Sequence, residues 1–496
     1  MRKNLIRLLS WTVLATGIAG GGAAGTPNPA FTAVQTTDFS LPGSLSNSWA
    51  DFDRDGDLDL AVSLKSGEIR LYRNERGRFT SIGAALGLPV SGAEMRGLAW
   101  GDYDADGWPD LYAGATDAGA ANLLFHNAGG RRFVAQGGEP VAAGRSARQS
   151  SWVDFDNDGD LDLFAANRSG PNALYRQQAG GFTRVAADQA GDDARPTVGA
   201  CWFDYDRDGD LDLFLANQAG ATDALWRNDG DHFTDVAAML GMDRPGRSRT
   251  EGSVGCAIGD YDNDGELDLF VASYGVNILY RNKGDGSFEN VAPQMGLAED
   301  NHAVGAAWGD FDNDGWLDLF VTAYTGPSGA QRPANRLYRN LGGKGFANIL
   351  LAGSALNVAD HGVQWIDYDA DGALDLSVTR GYTATGGHFL FHNDLGAARA
   401  RRSLAVRVLD RTGHFTRMGA EVRLYDRSGQ ILATRQISTG DGYNSQGTQP
   451  LHFGLASLEP VTLEVSFMGK AGCKTQRLEG IRPARFAGRE LVIKER

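Results

Sequence analysis

"DFDRDGDLDL", residues 51–60, places five aspartates in ten positions, with Arg54 as the only cation among them. Like charges packed this densely repel one another, and the chain then runs straight into hydrophobic residues. The stretch recurs. The pattern D-aromatic-D-x-D-G-x-x-D starts at Asp51, Asp102, Asp154, Asp204, Asp260, Asp310 and Asp367, with steps of 51, 52, 50, 56, 50 and 57 residues. A period in this range marks a repeat architecture.

The seven copies can be compared position by position. Positions 1, 3, 5 and 9 are always aspartate, position 6 is always glycine, and position 2 is Phe or Tyr. The carboxylates are Asp51, Asp53, Asp55 and Asp59; Asp102, Asp104, Asp106 and Asp110; Asp154, Asp156, Asp158 and Asp162; then Asp204, Asp206, Asp208 and Asp212. They continue as Asp260, Asp262, Asp264 and Asp268; Asp310, Asp312, Asp314 and Asp318; and Asp367, Asp369, Asp371 and Asp375. Position 7 varies as Asp57, Trp108, Asp160, Asp210, Glu266, Trp316 and Ala373, so its side chain is expected to matter little and its carbonyl to serve instead. Side-chain oxygens at alternate positions, one backbone carbonyl and a glycine for the sharp turn describe a cation loop. Oxygen ligands without nitrogen or sulfur favour Ca²⁺, and Mg²⁺ less, because it keeps its waters and demands octahedral geometry. About seven Ca²⁺ are expected, one per loop. An EF-hand would need glutamate at position 12, which here is Val62, Ala113, Ala165, Leu215, Val271, Val321 or Val378. The chain instead leaves the loop as an apolar strand.

The flanks define the rest of each repeat. A tryptophan stands two residues before the first aspartate in six copies (Trp49, Trp100, Trp152, Trp202, Trp308 and Trp365), and Ile258 takes its place in the fifth. After the loop come "LYRN" at 71–74, "LFHN" at 124–127, "LYRQ" at 174–177, "LWRN" at 225–228, "LYRN" at 279–282 and 337–340, and "LFHN" at 390–393. His126 and His392 there are expected to do the packing job of the arginine they replace. A last apolar landmark starts at Phe79, Phe133, Phe182, Phe233, Phe288 and Phe346 and is missing after the seventh loop. "FTAV" at 31–34, ahead of the first loop, supplies the missing copy. Four short strands per repeat and one displaced strand predict a seven-bladed β-propeller closed by its N-terminal strand, which protects the sheet edges.

The "WGDFDNDGWLDLF" repeats resemble FG-GAP/VCBS repeats, which are similar to the calcium-binding blades of integrin α-subunit propellers. The resemblance spans residues 31–393 and implies calcium in each loop. Beyond it, "DLGAARARRS" at 394–403 reads as a linker, followed by strand-like runs at 404–410, 420–426, 431–438, 461–467 and 490–495. These predict a small β-sandwich-like module at 397–496. "MGAEVRL" (418–424), "GDGYNSQ" (440–446) and "LHFGL" (451–455) resemble the ASPIC/UnbV domain, although "SFMGK" at 466–470 replaces its usual Trp-Pro-Ser-Gly segment. The combination is similar to the cartilage acidic protein family, which has many bacterial members.

"MRKNLIRLLSWTVLATGIAGGGAAG" at 1–25 reads as a secretory signal, with a basic start, an apolar stretch and small residues, so the propeller is expected at 26–396 of a secreted or periplasmic protein. No cysteine follows for a lipoprotein anchor, and no other apolar run approaches a membrane span. The three cysteines do not describe a disulfide framework. Cys201 lies three residues before its loop and Cys256 four before the next, so they face opposite ways and are expected to be buried thiols, leaving calcium as the staple. Residues 1–30 carry +3 and 397–496 carry +8, which leaves −26 on 31–396. Seven Ca²⁺ would bring that segment to −12, so its acidity belongs mostly to the loops and its folding should be coupled to metal. The basic C-terminal module beside an acidic propeller suggests docking between the two, with an outward basic face for acidic glycans as the alternative and a solvated basic surface without a partner as the default. With no compact Lys/Arg tract, nucleic acid is not an expected partner.

There is no G-x-S-x-G, H-E-x-x-H, P-loop or C-x-x-C pattern. Arg96, Arg148, Glu251, His302 and His361 precede the first strands, where a propeller's central channel opens, and are candidates for a ligand pocket, although loop-end surface roles are favoured. Tyr443, Ser445 and His452 are polar positions of the C-terminal module for which turn and core roles are favoured. Two functions follow. The first is a secreted, monomeric, calcium-binding module for an extracellular glycan or protein. The alternative is an exported enzyme, a polysaccharide lyase or tailoring enzyme, with its site at the channel mouth. No catalytic residue is assigned.

Overall fold

The computed structural model describes residues 30–117, 119–137, 140–143, 146–178, 181–185, 190–324, 334–381, 386–440, 442–470 and 472–496. The leader at 1–25 lies outside them. Among the described residues each of the seven repeats forms one four-stranded antiparallel sheet, the second of them extended by a short parallel fifth strand. The innermost strands are Ser44–Ala50, Met95–Gly101, Ala147–Val153, Thr197–Phe203, Gly252–Gly259, Ala303–Gly309 and Val363–Ile366. They pack side by side around a ring, the first against the last. In every blade the cation loop leaves the innermost strand, and the position-9 aspartate starts the next. In the seventh blade Phe31–Val34 pairs with His388–Asn393, in the register Phe31↔Asn393 to Val34↔Leu390, so the N-terminal strand closes the ring.

Successive blades interlock by volume. Trp49, Trp100, Trp152 and Trp202 are fully buried. Gly101, Gly259 and Gly309 each abut the tryptophan of the following blade. Where that tryptophan is replaced, Ile258 packs against a cluster that includes Phe203 of the preceding blade.

Cys201 and Cys256 form a disulfide between blades 4 and 5, with Cα atoms 6.2 Å apart, which corrects the expectation of separate buried thiols. Opposite facing keeps two residues apart on one sheet. In a propeller, however, one blade's forward face meets the next blade's backward face, so opposite facing brings them together. Cys473 is free.

The C-terminal module has two sheets, one of Ser403–Leu409, Leu451–Gly454 and Leu491–Lys494, the other of Glu421–Tyr425, Ile431–Gln436, Val461–Phe467 and Lys474–Ile481. Val406, Val422, Leu424, Phe453, Leu463 and Val465 form its core, continuous with that of blades 2 and 3. The segment between the sheets leaves the module and enters the propeller. Ser445–Gln446 pairs in parallel with Leu98 and Ala99 of blade 2, and Gly442 bridges to Ala306 of blade 6. Tyr443 packs among Val198, Val254 and Val304 of three successive blades, so the segment plugs the channel. Gly442 has φ +63°, and a Cβ there would fall 2.0 Å from the Val363 carbonyl oxygen, so only glycine fits. No helix of the described residues is long and apolar enough to cross a membrane.

Candidate metal centres

The seven loops share one hydrogen-bond plan. The position-6 glycines have φ between +94° and +101°, and each donates its N–H to the position-1 carboxylate, as Gly56 does to Asp51 at 3.1 Å. Position 4 is also left-handed in every loop, although it is Arg, Ala or Asn rather than glycine (Arg54, Ala105, Asn157, Arg207, Asn263, Asn313 and Ala370). The position-7 N–H donates to the position-5 carboxylate, as Asp57 does to Asp55 at 2.9 Å; Trp108, Asp160, Asp210, Glu266, Trp316 and Ala373 donate likewise. The position-9 aspartates are buried. Each accepts a backbone N–H from the third strand, as Asp59 does from Asn74 at 2.8 Å. The repeat therefore orients its position-1, position-5 and position-9 carboxylates by backbone bonds.

Ligand oxygens of positions 1, 3 and 9 come within 4.8 Å of one another in Asp51, Asp53 and Asp59, in Asp102, Asp104 and Asp110, and in Asp154, Asp156 and Asp162. Several of these oxygens are buried with no hydrogen-bond partner among the described residues: one each on Asp53, Asp102, Asp206, Asp262, Asp318, Asp367 and Asp375. A buried carboxylate oxygen without a donor is costly, and a hard cation is the group that satisfies several at once. Acidity agrees with this. Burial first, and neighbouring loop carboxylates besides, push Asp102, Asp154, Asp204 and Asp260 up to about 7 and Asp51 to about 6. Burial raises Asp59, Asp110 and Asp162 to about 9, and Asp212, Asp268, Asp318 and Asp367 well above the ordinary carboxylate range. Without a cation these groups favour protonation. The residues present therefore fit a hard cation.

Two roles escaped the sequence. The landmark arginine is more than packing. Arg73, Arg176, Arg281 and Arg339 pair with the position-3 carboxylates Asp53, Asp156, Asp262 and Asp312 at 2.8, 2.7, 2.7 and 3.1 Å. His126 and His392 stand in that place, with Nδ1 3.0 Å from Asp104 and 3.5 Å from Asp369. Position 7 is not indifferent either, because position 4 of one loop reaches the next. Arg54 lies over the Trp108 ring at 5.3 Å, Asn157 donates to Asp210 at 2.6 Å, and Arg207 pairs with Glu266 at 2.8 Å.

The module's sheets lie on the loop face. Arg417 is 3.8 Å from Asp154, Cys473 Sγ 3.6 Å from Asp204, and Arg399 3.3 Å from Asp312. Arg423 donates to the Gly265 carbonyl at 3.4 Å, and His452 Nε2 lies 3.3 Å from the Gly372 carbonyl. A Cβ on Gly454 would fall 1.9 Å from Asp310 Oδ2. The basic module thus docks on the acidic face.

Of the channel candidates, Arg96 donates to the Tyr443 hydroxyl at 2.8 Å, and the His361 ring lies 5.2 Å from that of Tyr443. Arg148 is buried close enough to Arg96 that burial and the like charge lower it to about 10. His302 stacks on Tyr274 at 3.9 Å. Glu251 is apart, exposed and accepting the Ser248 N–H. Tyr443 and Ser445 belong to the plug and His452 to the loop face, so these three do not converge.

The FG-GAP-like repeat family matches residues 51–113, 154–215, 204–271 and 260–321, and the ASPIC and UnbV family matches 412–495. Cartilage acidic protein 1 of Homo sapiens is 27% identical over 88% of this chain and 72% of its own length. Its Xenopus tropicalis counterpart is 29% identical over 90% and 74%. Among solved structures, the BP39L lectin from Burkholderia pseudomallei superposes over 72% of this chain and 98% of that one with TM-score 0.50 at 14% identity, a likeness of fold alone.

Proposed function

Because the chain is built of FG-GAP-like repeats followed by an ASPIC and UnbV domain, we propose that it is an exported, monomeric, calcium-binding propeller that serves as a binding module for an extracellular glycan or protein. The observation that carries the metal part is the set of buried, donorless carboxylate oxygens recurring in the loops on one face. Calcium, when bound, supplies the charge that lets these carboxylates ionise together; the chain supplies positions 1, 3, 5 and 9 and the position-7 carbonyl. The domain docked on that face would then depend on the metal for its seat. The test of the binding role is a glycan and extracellular-protein array probed with the full chain in millimolar calcium and again in chelator. Calcium-dependent retention on a defined ligand class supports the reading, and equal retention in both conditions contradicts it.

The convergence of Arg96, Arg148, His361 and Tyr443 favours one second reading, an exported lyase or tailoring enzyme using that cluster. Tyr443→Phe keeps the plug's packing and removes its hydroxyl. Turnover of an acidic polysaccharide by the native chain, lost in this variant, would establish the enzyme reading in place of the binding one.

A further inference from the structure

Between the propeller's loop face and the C-terminal module lies a cavity of about 540 Å³, within the roughly 300–1,000 Å³ of small-molecule sites. Trp308, Trp365 and Ile258 contribute to an apolar wall, and the rim includes the exposed Arg489 and Val492. One charged side chain in its lining stands out. Arg435 is 8% exposed, and its guanidinium lies over the Phe453 ring at 5.5 Å. Its Nη1 donates to the Thr434 carbonyl at 2.9 Å, while Nε and Nη2 are buried with no hydrogen-bond partner among the described residues. Those two donors form one edge of the guanidinium, the edge that grips a carboxylate with two parallel hydrogen bonds.

The lining also carries Asp51, Asp57 and Asp367 of the loops and Glu490, which is paired with Arg407 at 2.5 Å; around Arg435 it is complementary. The Gln364 Nε2, 2% exposed as a residue, is a second buried donor without a partner. Gln436 Oε1 and Gln449 Oε1 are buried acceptors without one. His452 donates from Nε2 toward Gly372, which leaves Nδ1 as a third such acceptor. A forked donor, a lone donor, acceptors suited to hydroxyl groups and an apolar wall together describe the surface of a sugar acid. We propose that this interdomain cavity binds a carboxylated monosaccharide, with the carboxylate on Arg435 and ring hydroxyls on Gln436, Gln449 and His452. The inference rests on the calcium reading. Asp310, Asp260 and Asp318 lie within electrostatic range of Arg435, and cations in their two loops would leave the guanidinium's charge to a ligand.

Isothermal titration of the calcium-saturated full chain with D-glucuronate, and with D-glucose, sulfate and phosphate as controls, tests this. Glucuronate should bind at one site per chain, at least about 10-fold more tightly than glucose, the effect of a charge-assisted hydrogen-bonded pair. Arg435→Lys keeps the charge but not the fork and should weaken glucuronate binding about 10-fold at unchanged calcium content. Gln364→Leu, on the propeller side, should weaken it several-fold and decides the matter if the arginine variant does not fold. Equal affinity for glucose, preference for sulfate or phosphate, or a Gln364→Leu chain that binds glucuronate as the native one does would each overturn the proposal. Calcium content measured on the same sample separates the two readings: a chain that holds its calcium and does not bind glucuronate overturns this inference alone.

Discussion

At the scale of single residues, the loop aspartates differ in what they do, and mutation should separate them. Asp110 is buried and accepts the Asn127 and Tyr103 N–H groups at 2.7 and 3.3 Å as well as facing the proposed cation. Asp106 is exposed and accepts one local N–H. Asp110→Ala should therefore cost on the order of 3–5 kcal/mol in calcium and still destabilise in chelator. Asp106→Ala should lower the melting temperature in calcium only. Differential scanning calorimetry of both variants in both conditions checks this. Acid–base behaviour gives a second test. Carboxyls raised from 3.8 to about 7 or 9 hold protons in the folded, metal-free chain that the unfolded chain has released. Their stabilisation is complete below the ordinary value and is lost as pH climbs through the raised one. In chelator the melting temperature should fall between about pH 5 and 9; in calcium it should rise over the same window, because protons then compete with the cation. Parallel slopes would contradict a cation site. The aspartates and glycines of the loop were legible because seven copies expose which positions never change. The left-handed position 4 was not, since Arg54 and Ala105 carry no side-chain signature of that conformation.

At the scale of elements, the blades are latched by the last residue of "LYRN". Asn74, Asn127, Asn228, Asn282, Asn340 and Asn393 each donate Nδ2 to the position-2 carbonyl of the preceding loop, and Gln177 does the same job from one methylene further out. Asn74 reaches Tyr368 at 2.8 Å and so latches the first blade to the last. Asn282→Ala leaves the Tyr205 carbonyl buried without its donor and should cost about 1–3 kcal/mol, read by urea denaturation. An unchanged midpoint would remove the latch from the account. The Cys201–Cys256 disulfide closes a separation of 55 residues. By chain entropy that is worth about 4 kcal/mol as an upper figure. A Cys201→Ser, Cys256→Ser chain should melt lower without losing metal, and an unchanged melting temperature would contradict a formed bond. The closing strand at 31–34 was legible because one landmark was missing at one end and present at the other. The latch was not, because a recurrent asparagine reads equally as a turn residue. The disulfide was not legible, because side-chain parity within one sheet sets the two cysteines apart, whereas blades meet face to opposite face.

At the scale of the whole molecule, charge explains why the two parts belong together. The −26 of residues 31–396 meets the +8 of 397–496, and Arg399 and Arg417 are drawn to Asp312 and Asp154 at the interface. Composition suggested that docking but did not distinguish it from a basic surface facing solvent. The plug was not legible, because "STGDGYNSQGTQ" at 438–449 reads locally as turn, and its partners lie hundreds of residues away. Gln446 shows how firmly it is seated: its Oε1 accepts the Trp152 N–H at 2.6 Å, and its Nε2 donates to the Trp152 carbonyl at 2.9 Å. A domain whose sheets rest on the loops and whose connection fills the channel would make the proposed cation sites central to both folding and assembly. The measurement that addresses this most directly is native mass spectrometry of the full chain after dialysis against micromolar calcium. The seven complete loops predict about seven Ca²⁺ per chain, all released on chelation. A chain that holds fewer than about three before chelation would contradict the account.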